Sequence, residues 1–178
     1  MRLLHESMNR TRIFSNSLIL MVTAVASMSN AQKSMESLPR KEKAALALYL
    51  KGHKTYELLT ESHFSTDAMK DLRTAIKGFH PYYISDDFTD DGRRDFAVVI
   101  AQHSGLSTEN FHATFLLIFN GTKHGYKLAY SEEGNFDEGR YITFEKPAIG
   151  YLGYAADTGV YLYWRHKRYV AEPEDTIH

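Results

Sequence analysis

The stretch Asp86-Asp87-Phe88-Thr89-Asp90-Asp91-Gly92-Arg93-Arg94-Asp95 is where residue type and spacing suggest a specific chemistry, the binding of a hard cation. Calcium takes about six to eight oxygens, and a tight loop delivers them when ligands alternate and a glycine lets the backbone turn. With Asp87 as position 1, Thr89 falls at 3, Asp91 at 5, Gly92 at 6 and Asp95 at 9. An EF-hand is excluded, because its position 12 is Val98 where that loop needs a bidentate Glu. The competing reading is an Asp-Gly turn whose carboxylates cap backbone N–H groups and pair with Arg93 and Arg94.

The loop runs straight into the apolar segment Phe96–Ala101, and over residues 86–100 it resembles the Asp-rich loop of FG-GAP and VCBS-type repeats of exported bacterial proteins. In this chain Thr89 stands where that pattern usually has Asp or Asn, and Asp90 where it commonly has glycine. The resemblance implies a loop between strands that binds Ca2+, with side chains from Asp87, Thr89, Asp91 and Asp95 and the backbone carbonyl of Arg93. It also implies a β-propeller blade or a smaller β-rich domain. A single copy cannot build a propeller, which needs several blades.

Other candidate chemistry is thinner. The chain has nine histidines, but none forms an H-x-x-x-H or H-E-x-x-H pair. A G-x-S-x-G elbow, a phosphate-cradling glycine loop and a dinucleotide fingerprint are also missing. The acid pairs Glu132 with Glu133 and Asp137 with Glu138 suit loop solvation, and a glycosidase role depends on their separation in space. Asn120-Gly121-Thr122 is a glycosylation sequon in a eukaryotic secretory pathway. Eight of the twelve tyrosines follow residue 125, beside the single tryptophan, Trp164. Tyr161, Tyr163 and Arg165 share a parity and hence one sheet face, opposite Val160, Leu162 and Trp164. Aromatics with an arginine are what interfaces favour, and ordinary strand composition gives the same pattern.

The first thirty-one residues read as a secretory signal peptide. Arg2, His5, Arg10 and Arg12 precede the apolar run Leu18–Ala26, which is too short to span a bilayer, and Ser29 and Ala31 are the small residues of a cleavage site. Residues 32–178 then form one ordinary domain, large enough to bury about two-thirds of its unfolded surface. Of the 21 Lys plus Arg and 22 Asp plus Glu in the chain, removing Arg2, Arg10, Arg12 and Glu6 leaves 18 against 21, a net charge of −3. That balance argues against a nucleic-acid partner. The chain has no cysteine, which excludes disulfides, a thiol nucleophile and a lipid anchor on cysteine.

These pieces have to be positioned by a scaffold. After a polar leader from Gln32, Ser37 and Pro39 open a helix of roughly twenty residues, with Ala45, Leu48, Tyr49, Gly52, Tyr56 and Leu59 on one face and Glu42, Lys43, Lys51, Lys54 and Glu57 largely elsewhere. A second helix starts at Ser65 or Thr66, presents Met69, Leu72, Ala75 and Ile76, and stops at Gly78. Beyond the acidic loop the period changes to two. Phe96–Ala101 is a central strand covered on both faces; 114–119 and 126–130 follow as a meander, then 140–145, and a terminal hairpin of 160–165 with 168–170. The Gly150–Tyr154 stretch mimics a flexible glycine loop, but no helix pattern follows it to aim N–H groups at phosphate. The expected fold is α+β, two N-terminal helices and then an antiparallel, meander-like sheet. The expected function is an exported, periplasmic or secreted, non-catalytic domain that binds a protein or envelope component, with a calcium-stabilised loop. The alternatives are a small hydrolase using carboxylate or histidine chemistry and a structural subunit of an envelope assembly.

Overall fold

The computed structural model describes residues 35, 38–60, 66–75, 80–103, 111–134, 140–153 and 159–173. The leader expected over 1–31 lies outside them. Contacts divide the chain into Met1–Ser37 and Leu38–His178, and the two sheets and two helices of the described chain belong to the second unit. Among the described residues, no helix is long and apolar enough to cross a membrane.

The expected α+β arrangement is not what the chain adopts. The structure is mostly β, with two antiparallel sheets and two short helices. Helix α1 spans Arg40–Lys51, with Pro39 at its cap position, and ends at Gly52 instead of running on to Leu59. The reason is that Tyr56–Leu58, which continues the helical spacing, pairs instead as strand β1 with Gln102–Ile100. Helix α2, Thr66–Ala75, therefore comes after the first strand. Its Leu72 is buried.

Strand β2 (Tyr83–Asp86) leads into the acidic loop, and β3 (Asp95–His103), β4 (Phe111–Thr122) and β5 (Gly125–Gly134) follow as a meander. As expected, β3 is central. One of its edges pairs with β4, and the other is shared end to end by β2 and β1. Between those two short strands, Val99 accepts a hydrogen bond from the Leu59 N–H (2.9 Å) and donates one to the Tyr82 carbonyl (3.0 Å). The chain leaves and rejoins this edge at one residue.

The second sheet is a separate four-stranded meander: β6 (Arg140–Glu145), β7 (Ala148–Gly153), β8 (Gly159–Arg165) and β9 (Arg168–Pro173). The stretch that mimics a glycine loop in sequence is mostly strand β7. Gly150 belongs there because a Cβ would lie 3.0 Å from the Thr143 methyl and 3.3 Å from the Tyr161 ring, both on neighbouring strands.

Three layers result. Ala97, Val99, Ala101, Leu116 and Ile118 face the second sheet and pack with Ile142, Ile149, Leu162 and Tyr169. On the other face Phe96 stacks on Phe119 (4.6 Å), which meets Tyr49 of α1 edge-on. All six residues from Phe96 to Ala101 are 0% exposed, which is why neither parity of β3 is polar. Burying each of Phe96, Val98, Val99 and Ile100 contributes about 2 kcal/mol. The sheets meet at both margins, through Ile142 N–H to the Pro81 carbonyl (2.9 Å) and through Tyr130 against Tyr169.

Candidate functional site

The acidic loop connects β2 to β3, and its backbone is held open by two residues with left-handed conformation, Asp90 (φ 56°) and Gly92 (φ 80°). Asp87 organises the turn, for its Oδ1 accepts the Asp91 N–H (3.0 Å) and its Oδ2 the Gly92 N–H (2.7 Å). Asp91 accepts the Arg93 N–H on Oδ1 (2.9 Å) and the Arg93 guanidinium on Oδ2 (2.6 Å). Both members of that ion pair are exposed. Asp86 caps the Asp87 N–H at 2.7 Å.

Asp95 is 0% exposed and ties the loop to the next hairpin. Its Oδ2 accepts the Thr89 N–H (3.0 Å) and its Oδ1 the Gly121 N–H (2.7 Å). Burial raises its pKa, opposed by the bonds from Gly121 and Thr89. Gly121 has to be glycine for this approach, since a Cβ there would stand 2.4 Å from the Arg94 carbonyl oxygen. From the second sheet, Lys146 reaches Asp90 at 2.6 Å, and the pair lowers the Asp90 pKa and raises that of Lys146.

The five residues read as calcium ligands, Asp87, Thr89, Asp91, Arg93 and Asp95, are therefore close in the fold, but their carboxylates point mainly at backbone N–H groups and at Arg93. Among the described residues, no three or more His, Asp or Glu side chains form a metal-ligand cluster. The Thr89 hydroxyl is buried and makes no full hydrogen bond, but it lies near enough to the Asp95 carboxylate to oppose the rise in that group's pKa.

A second polar cluster escapes sequence reading altogether. Glu42, in the first turn of α1, is 1% exposed instead of solvated. Its Oε2 accepts the Tyr83 hydroxyl, and its Oε1 takes Ser85 Oγ (3.2 Å) and the Tyr126 hydroxyl (3.3 Å). The single Ser85 proton is also within reach of the Asp95 carbonyl at 2.9 Å. Burial and the facing carboxylate raise both phenols, Tyr126 to about 12 and Tyr83 further. These donors lie on β2 and β5, 41 to 84 residues away in sequence, so nothing near Glu42 announces them.

Tyr161, Tyr163 and Arg165 lie on the outward face of the second sheet, because Leu162 between them is in the core. Tyr161 and Tyr163 are half-buried and Arg165 is exposed. The Arg165 guanidinium sits 4.7 Å from the centre of the Tyr163 ring and is ion-paired with Glu172. Glu172 faces Tyr161 in register. Comparison with known proteins gave no match to a family model, to a curated protein or to a solved structure.

Proposed function

We propose that the chain is an exported, non-catalytic domain that recognises a protein or envelope component through the outward face of its second sheet. The observation that carries this reading is the row of Tyr161 and Tyr163 with Arg165 lying over the Tyr163 ring. Rigid aromatics and a guanidinium preorganised on one face are the anchors that interfaces use. Glu172 holds the arginine in place, so little side-chain freedom is left to lose on binding. A hydrolytic role is less well supported, because the buried acids Glu42 and Asp95 direct their oxygens into internal hydrogen bonds.

The test is capture from envelope extract by the full chain and by a Tyr163→Ser/Arg165→Glu variant. Capture of the same component should fall at least about tenfold in the variant, the size of one modest hot spot, with the melting temperature nearly unchanged. Equal capture by both proteins would remove the reading.

Calcium in the acidic loop is a second reading, favoured by the gathering of Asp87, Thr89, Asp91 and Asp95 around one turn. A calcium-specific rise in melting temperature would support it. In the first reading the loop is a turn held by its own donors and acceptors.

A further inference from the structure

The hairpin joining β8 to β9 closes at the pair Arg165 and Arg168, leaving only His166 and Lys167 in the turn. Both have positive φ, 50° and 63°. A two-residue turn with that backbone favours Asn-Gly, because a β-carbon is strained in the left-handed region. Among the described residues the other positive-φ positions carry Gly92 (φ 80°), Gly125 (φ 136°) and Asp90 (φ 56°), and the short polar Asp side chain tolerates that region better than Lys does.

What the strained turn supplies is charge. Arg165, His166, Lys167 and Arg168 are consecutive and all exposed. Arg165 is held by Glu172, whereas among the described residues the Lys167 and Arg168 side chains have no acidic partner. Left-handed backbone carried by His and Lys, where the other positive-φ positions among the described residues are Gly and Asp, points to a role for the side chains. Four consecutive exposed side chains on a two-residue turn suit a surface and not a small ligand, which takes a concave site.

We propose that the β8–β9 hairpin tip docks the protein on an anionic phospholipid surface. Each basic residue near such a surface strengthens binding about fivefold, and the half-buried Tyr163 behind the tip has the amphipathic ring that suits the headgroup level. The acidic loop approaches the β6–β7 turn, through Lys146 and Asp90, at the opposite margin of the sheet. An anionic surface therefore meets the β8–β9 corner first and not the whole end of the domain. This inference rests on the charges of residues 166–168; it shares Tyr163 with the tyrosine face and is told apart from that reading by the tip variants.

The experiment is sedimentation of the full chain with phosphatidylglycerol-containing vesicles, compared with Lys167→Glu/Arg168→Glu and with His166→Asn/Lys167→Gly. Because the variants differ only at the tip, whatever the N-terminal residues contribute is common to all three. The charge reversal should weaken binding at least about thirtyfold, the loss expected for two charges. The Asn-Gly variant should melt higher and bind about fivefold more weakly, a combination that a purely structural turn would not give. Wild-type binding by both variants, or binding to polyglutamate as tight as to the vesicles, would overturn the proposal. Envelope capture lost in Tyr163→Ser/Arg165→Glu with vesicle binding unaffected by the tip variants would leave the proposed function standing and remove this inference alone.

Discussion

Two carboxylate centres lie on the β2–β3 side of this molecule and solve opposite problems. Glu42 sits in a dry interface between helix and sheet, where three hydroxyl groups from distant strands surround one side chain. Asp87, half-buried, and Asp91, exposed, sit at the surface, and each accepts hydrogen bonds from residues two to five positions ahead. The dry centre joins elements far apart in sequence; the wet one only shapes its own turn. An unmade bond costs more where water cannot replace it, so the two should differ in their contribution to stability although both are acidic and well bonded.

The widest gap is expected from Glu42→Ala. It leaves the Tyr83 and Tyr126 hydroxyls facing an apolar hole and should cost about 3 kcal/mol in urea denaturation. Asp87→Ala exposes two N–H groups to solvent and should cost about 1 kcal/mol. The same value should be found in calcium and in chelator if the loop is an internally held turn. If Asp87→Ala costs as much as Glu42→Ala, or its cost grows in calcium, the contrast between the centres breaks down.

Asp95 lies between the two and gives the smallest and most specific effect. Its pKa is raised in the folded protein, chiefly by burial. The folded state therefore holds this proton more tightly than the unfolded chain does, so the contribution to stability falls as pH rises from the usual carboxylate value, about 4, through the raised one. Wild type should lose stability relative to Asp95→Asn across that window, as read from denaturation at a series of pH values. A difference that stays constant would show that burial does not dominate at this side chain.

How much of the molecule was legible depends on where the information lies. Strand β3 could be read because both parities of Phe96–Ala101 are apolar, a signature of cover on two faces. The terminal hairpin could be read from the alternation around Leu162. Strand β1 could not, since Tyr56 and Leu59 continue the spacing of α1 and only pairing with Gln102–Ile100 makes Tyr56–Leu58 extended. Strand β7 was hidden by Gly150, whose lack of a side chain looks like loop composition until the Tyr161 ring is placed over it. The spacing of the acidic loop was plain in sequence, but the direction of each carboxylate was not, because Arg93 and the backbone amides compete for the same oxygens. Glu42 was read with the solvated residues of its helix, and its hydroxyl donors become visible only once β2 and β5 are in place.

At Val99 the chain departs after Leu59 and comes back at Tyr82, each hydrogen-bonded to the same residue. The intervening stretch, with α2 in it, is thus an excursion whose two feet are anchored on one residue. Lengthening or shortening it asks nothing of the strand ladder, and among the described residues a demand falls on the packing that buries Leu72. Guest sequences can be grafted between these feet.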